Sequence, residues 1–341
     1  MADMAEIDPV ARCAQLLRDR VTKFVSKSRR AVVIGFPDNQ NCGEQANWLG
    51  TLKLLAELGI EVVYTGSWAG VPRNAVPGEL GDATIFLTRA LFTHDHGVAA
   101  FLSSVPNPIV ILPEAPPASH SIRPDVAGAL SEHRNLLILA GDEVTRKAIE
   151  QAVEGKQAVE LAPPPAFALG VQQPNTEPAY DVVWVARTDR KDHSAEAAAR
   201  LSSQSAEKLD LPRFADGLDI DVVVKCRPPT VMLTDWSSLV FRSQEARLTC
   251  NALDLTVRAR AYLERGLHVL SLGHVAITDR AGTHVLCLLL RLPHFLTEDA
   301  SGANRSFFET WSRETSVSHL SDTPASAWSQ ARNMLHEIKG E

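Results

Sequence analysis

The residues best suited to chemistry lie in His274-Val-Ala-Ile-Thr-Asp-Arg-Ala-Gly-Thr-His284, which runs on into the apolar segment Val285-Leu-Cys-Leu-Leu-Leu290. A short β-prone run, Val275 to Ile277, ends at Asp279 and Arg280, a Gly-Thr-His turn follows, and an apolar helix begins. A strand-to-helix turn of this kind in an α/β domain binds anions through backbone amides and nearby guanidinium groups. Other chemistries find less support. His94-Asp95-His96 could set two imidazoles on one side of an extended segment, but a zinc site needs a third or fourth ligand, and no spacing supplies one. A solvated loop is the reading for that triplet, and no metal is expected. Neither G-x-G-x-x-G nor a Walker loop occurs, so NAD and ATP have no specific support. Ser237 and Ser238 lack the flanking glycines of a hydrolase nucleophile elbow. The five cysteines, Cys13, Cys42, Cys226, Cys250 and Cys287, form no C-x-x-C pair and read as free thiols.

Positioning such residues takes a large framework, and the composition allows one. With 341 residues, 45% of them apolar and 22% charged, the chain can bury a sizeable core, and its length favours two domains. The net charge is −7 and basic residues form no block, which argues against a nucleic-acid surface. The stretch from Met1 to Gln15 lacks the apolar centre of a signal peptide, and the longest apolar helix candidate is interrupted at Arg291. The expectation is a cytoplasmic protein with no transmembrane segment.

Hydrophobic patterning places the elements. Ala31 to Phe36 is a continuous apolar run of buried-strand length, and a loop leads through Gly43 to a helix that Gly59 should stop. Strands are expected at Glu61–Tyr64, Ala83–Leu87, Pro108–Leu112 and Asn135–Ala140, with helical segments at Val98–Leu102 and Val144–Val153. The Pro- and Gly-rich stretch from Pro163 to Tyr180 suggests an interdomain crossing. The pattern then restarts, with strands at Asp181–Ala186 and Val222–Lys225 and an amphipathic helix marked by Leu248, Ala252, Leu255, Ala259 and Tyr262. Ser194 to Lys208 reads as an exposed helix or insertion, and Asn304–Trp311 and Ala325–Ile338 as closing helices. Strands alternating with helices indicate doubly wound α/β domains, here an N-terminal one over 1–170 and a C-terminal one over 171–341.

Several strings, in order, resemble the polysaccharide pyruvyltransferase family. Phe36 to Gly50 is similar to the family's N-x-G-D loop and W-L-G helix, and Glu160 to Gly170 to its L-A-P-D-M-A-F-A-L-G. Trp184-Val-Ala-Arg-Thr-Asp189 is similar to a strand ending in R-T-D, and Thr234-Asp-Trp236 to T-D-W. The opening motif resembles T-D-R-L-H-G-H, and Asn304 to Trp311 the segment after D-N-S-Y-G-K-N. The resemblance spans roughly residues 30 to 312. It implies two Rossmann-like domains in a GT-B-like arrangement with a cleft between them.

The reaction it implies moves pyruvate from phosphoenolpyruvate onto two hydroxyls of a saccharide or glycolipid as a ketal. No cofactor is required, phosphoenolpyruvate being the donor substrate, and self-association stays open. On this resemblance Arg187 and Arg280 bind the donor's phosphate and carboxylate; the other reading pairs them with Asp189 and Asp279. His284 is the surviving candidate for acid work, or else a capping or packed histidine, because the family's first histidine falls at Gly282. Glu44 stands for the family aspartate, or else serves as an acidic first-turn residue. Asp95, Asp189, Asp235, Asp279 and Asn304 are acceptor-side or supporting residues. Glycines of the family's H-G-G-G loop are replaced by Arg89, Ala90 and Leu91, its P-D-M-A aspartate by Pro164, and its lysine by Ala303. Those losses motivate a second reading, a catalytically inactive relative that binds a sugar or a partner.

Overall fold

A computed structural model describes residues 8–25, 29–68, 81–92, 97–114, 121–186, 222–224, 231–234, 255–299 and 301–340. The chain divides into two compact units, residues 1–38 with 47–170, and residues 39–46 with 171–341.

In the first unit six strands form a parallel sheet: β1 (Arg30–Ile34), β2 (Glu61–Gly66), β3 (Thr84–Leu87), β4 (Ile109–Ile111), β5 (Leu136–Ala140) and β6 (Val159–Leu161). Their order is β2-β1-β3-β4-β5-β6, so the winding reverses between β1 and β3. The apolar runs are strands with both faces covered: Val32, Ile34, Ile85, Leu87, Ile109 and Ile138 are buried in one cluster on one face, and Val33, Phe86, Val110 and Leu139 are buried on the other. Helices α1 (Pro9–Val25), α2 (Cys42–Glu57), α3 (Gly97–Ser104), α4 (Pro124–Glu132) and α5 (Glu143–Ala152) supply the covering faces. Gly59, at φ +67°, ends the turn that follows α2, as a left-handed glycine after a helix does. Asp142 caps α5 by accepting from the Thr145 amide at 2.9 Å.

Two elements depart from the patterning. α1 begins inside the stretch up to Gln15, for which the patterning placed no element, and Val10, Cys13, Leu17 and Val21 recur at helical spacing and are buried. Within the proline-rich stretch, Pro165–Leu169 forms a 3-10 helix whose Phe167 and Ala166 are buried. That part is core, and the division between the units falls after Gly170.

The second unit holds β7 (Tyr180–Val185), β8 (Val222–Val224), β9 (Val231–Thr234), β10 (Gly273–Thr278), β11 (His294–Thr297) and β12 (Ser318–Ser321). The order is β12-β11-β10-β7-β9-β8, parallel except for the β8–β9 pair. Here the winding reverses between β7 and β10, the place where open α/β sheets leave a crevice at the strand carboxyl ends. Its helices are α6 (Leu255–Ser271), α7 (Ala281–Leu290), α8 (Ala303–Trp311) and α9 (Pro324–Lys339). α6 carries on through Val269 and Leu270 and stops only before β10. Trp184 of β7 stacks on Trp328 of α9 with ring centroids 6.1 Å apart, and both rings are buried. Burial of such side chains stabilises by roughly 2–3 kcal/mol each. The expected insertion at 194–208 lies outside the described residues.

Candidate functional site

β10 lies between β7 and β11, and Val275, Ala276 and Ile277 are fully buried, so its carboxyl end is held from both sides. Thr278 Oγ1 donates to the Val185 carbonyl of β7 at 2.9 Å and accepts from the Arg280 amide at 3.1 Å. Asn304, buried near the start of α8, donates through Nδ2 to the carbonyls of Asp279 at 3.0 Å and Thr297 at 2.9 Å. One amide thus ties the ends of β10 and β11 together. Arg280 enters α7 from an extended backbone at φ −115°, ψ 117°, half-buried, with its position set by both neighbouring strands. Asp279 is buried beside it.

The segment Asn39–Ala46 lies against this turn and belongs to the same unit. A methyl placed on Gly43 would stand 2.7 Å from the Gly282 Cα, and one on Gly282 would stand 3.2 Å from the Gly43 Cα. The two glycines let two backbones touch where side chains would separate them. Cys42 packs equally close to α6, since a methyl on Gly266 would stand 2.6 Å from the Cys42 Cβ. Glu44, in the first turn of α2, accepts from Asn39 Nδ2 at 3.0 Å and Asn41 Nδ2 at 3.1 Å. Asn41 Oδ1 accepts from the Gly43 amide at 3.1 Å, and Gln45 Nε2 donates to the Asn39 carbonyl at 2.8 Å. The loop is therefore braced by its own amide side chains, and Glu44 is held rather than left to swing.

Sequence reasoning missed Arg265. It sits on α6 one face along from Tyr262, its guanidinium 5.0 Å from that ring, and donates to the Gln40 carbonyl at 3.4 Å. Burial pushes the Cys42 thiol up to about 11, against the opposing charge and hydrogen bond of Arg265 and the charge of Arg280. Two guanidinium groups therefore lie near one buried thiol, which stays protonated and unreactive. The spacing Arg258, Tyr262, Arg265 on one helical face was the available signal.

His284 is placed away from this surface. It is fully buried in α7, with Nδ1 2.7 Å from His294 Nε2 and Nε2 2.9 Å from Ser312 Oγ. Phe307 packs edge-on against its ring at 5.7 Å. The partners fix the tautomers. His294 Nδ1 must donate to the Leu292 carbonyl at 2.7 Å, so its Nε2 accepts from His284 Nδ1, and His284 Nε2 accepts from Ser312. Both rings are neutral. Burial, with the nearby His294, holds the His284 imidazole well below its ordinary range; burial likewise holds His294 down to about 4. This is the packed geometry of the two readings weighed for His284. Arg187, Asp95, Asp189 and Asp235 lie outside the described residues.

Among the described residues no cluster of His, Cys, Asp or Glu could hold a metal ion. An open cleft of about 660 Å³ lies in this unit, lined by Asn175, Glu177, His274 and Arg291 among others, at the end where β10 begins and not where Arg280 stands. No described helix is long and apolar enough to cross a membrane.

No protein-family model matches the chain. Over 301 residues it is 25% identical to "Pyruvyl transferase 1" of Schizosaccharomyces pombe, an alignment covering 83% of this chain and 70% of that protein. The crystal structure of an uncharacterised protein from Klebsiella pneumoniae subsp. pneumoniae superposes with a TM-score of 0.53 at 11% identity, covering 95% of this chain and 100% of the other. The first match establishes a distant relationship to a pyruvyltransferase. The second establishes a shared fold, consistent with a Rossmann-like, GT-B-like architecture.

Proposed function

We propose that this protein is a pyruvyltransferase-like enzyme that moves pyruvate from phosphoenolpyruvate to a sugar as a ketal. The observation that carries this reading is the pinned turn after β10, in a chain distantly related to a pyruvyltransferase. Arg280 stands two residues beyond Thr278, which pairs with Val185, and Arg187 follows Val185 by the same two positions in the chain. Neighbouring strands at a winding reversal thus each lead to an arginine. A planar guanidinium suits carboxylate and phosphate because it can grip either bidentately.

In the reaction the donor's methylene carbon gains a proton and becomes a methyl group. Two acceptor oxygens bond to the adjacent carbon, whose bond to the phosphate oxygen breaks. Of the two hydroxyl protons released, one balances the methyl and the other leaves with phosphate. Arg280 and Arg187 hold the donor in this proposal, and Glu44, braced by Asn39 and Asn41, is the base for the acceptor hydroxyl. Asp279 and Asn304 keep Arg280 in place. Asp95, Asp189 and Asp235 remain acceptor or supporting candidates. His284, buried and hydrogen-bonded to His294 and Ser312, is given no catalytic part in this proposal and supports the α7 turn from behind.

Incubation of the purified protein with phosphoenolpyruvate and a panel of saccharides should release phosphate and leave a pyruvylated product detectable by mass spectrometry. No turnover, together with no donor binding by calorimetry, would count decisively against the enzyme. A second reading, a binding protein without catalysis, is favoured by one contact. Gly282 rests on Gly43, so this turn carries no imidazole where the family pattern has its first one. It predicts donor or sugar binding with no turnover.

A further inference from the structure

α6 ends at Ser271, just before β10 opens at Gly273, so the helix runs back along the sheet and its earlier turns lie toward the carboxyl edge. Arg265 stands about 9 Å up the axis from that end, at about 1.5 Å per residue. Side chains on a helix lean toward its amino terminus, so Arg258 and Arg265 lean toward the edge where β10 gives way to Arg280. The contacts agree with that lean. The Arg265 guanidinium lies 5.0 Å from the Tyr262 ring, one turn earlier, and donates to the Gln40 carbonyl at 3.4 Å. Arg258 lies 5.9 Å from the same ring. The tyrosine face and the carbonyl that aim Arg265 are both neutral, so neither cancels its charge.

The loop before α2 brings Arg265 and Arg280 to one place. Its consecutive residues Cys42 and Gly43 touch the two arginine-bearing elements in turn. A methyl on Gly266 would stand 2.6 Å from the Cys42 Cβ, and one on Gly43 would stand 2.7 Å from the Gly282 Cα. Consecutive Cα atoms are about 3.8 Å apart, so α6 beside Arg265 and the turn beside Arg280 are separated by little more than one backbone. Arg258, Arg265 and Arg280 each keep part of their surface in solvent, as do Gln40 and Asn41, so a ligand can reach them. α2 and α7 begin at Cys42 and Ala281, and their amino ends add partial positive charge at the same place. Within the loop and the turn, the carboxylates that answer these three guanidinium groups are Glu44 and the buried Asp279.

We propose, resting on the reading of this protein as a pyruvyltransferase-like enzyme, that Arg265 joins Arg280 in gripping the donor's phosphoryl group from two sides. A carboxylate is satisfied by one guanidinium fork, whereas a phosphomonoester dianion has terminal oxygens enough to share between two. Calorimetry on the full chain compares phosphoenolpyruvate, inorganic phosphate and pyruvate, the last lacking the phosphoryl group. In Arg265→Gln, affinity for phosphoenolpyruvate and inorganic phosphate should fall about tenfold or more, while affinity for pyruvate changes less than about twofold. Phosphoenolpyruvate bound by that variant as tightly as by wild type overturns the role of Arg265 and leaves the enzyme reading standing. Equal losses for phosphate and pyruvate would mark a displaced loop and overturn it as well. Wild-type protein that binds neither phosphoenolpyruvate nor phosphate defeats the donor reading and this site together. Should Arg265→Gln fail to fold, Arg265→Lys keeps the charge without the planar fork. It should still lose phosphate affinity about threefold or more, and wild-type affinity there overturns the proposal.

Discussion

The contact between Gly43 and Gly282 offers an asymmetric test of the site's architecture. Apolar carbons rest about 3.5–4.0 Å apart. A methyl on Gly43 would meet the Gly282 Cα at 2.7 Å and the Gly282 carbonyl carbon at 3.0 Å, both backbone atoms with no rotamer to escape into. Relief requires the loop or the α7 turn to move by on the order of 1 Å, and overpacking of this kind costs about 1–3 kcal/mol. Each glycine lies in the first turn of a helix, where alanine returns up to about 1 kcal/mol. Gly43→Ala should therefore destabilise by about 1–2 kcal/mol net. Gly282→Ala meets only a 3.2 Å contact, which a shift of a few tenths of an ångström relieves, so its net change should lie near zero. Equilibrium urea denaturation of both single variants and the double variant measures this directly. Because the two methyls would compete for the same space, the double variant should fall below additivity by more than about 0.5 kcal/mol. If Gly43→Ala matches both wild type and Gly282→Ala, the backbone-on-backbone packing of this turn is refuted.

Further outcomes follow from the same geometry. Asn304→Ala removes two buried hydrogen bonds and leaves the Asp279 and Thr297 carbonyls without that donor, so it should cost about 2–4 kcal/mol by denaturation. A loss below about 0.5 kcal/mol would show that the amide does not tie the strands. His294 is held down to about 4 in the fold and relaxes to about 6.5 when unfolded, so its neutral form stabilises fully above that unfolded value. Stability should fall by up to about 3 kcal/mol as pH drops from 6.5 toward 4, with His284 adding in the same direction. Denaturation of His294→Gln across that pH range should show a flatter dependence, and an unchanged slope would sink the assignment. Arg280→Ala should weaken phosphoenolpyruvate binding by calorimetry at least tenfold, worth about 1.4 kcal/mol, while leaving the melting temperature nearly unchanged. Wild-type affinity in that variant would remove Arg280 from the donor site.

The sequence by itself determined the alternation of strands and helices and the turn that carries Arg280. Runs such as Ala31–Ile34 and Val275–Ile277 are apolar at every position and of strand length, the pattern of a strand buried on both faces once length and the flanking turn residues set it apart from a buried helix. A warning about His284 was present too: Val285 to Leu290 is apolar all round, which marks a helix inside the protein. What pattern could not decide was which partners converge. Asn304 reaches Asp279, Gly43 reaches Gly282, and Arg265 reaches Gln40, across 25, 239 and 225 positions of chain. Local periodicity encodes the face that a side chain occupies, because that depends only on φ, ψ and the neighbouring few residues. The partner it meets depends on strand order and helix packing, which place distant segments together only once the sheet has formed. The tertiary structure alone therefore decided that His284 is a neutral core imidazole and that the loop bearing Glu44 is pressed onto the turn bearing Arg280.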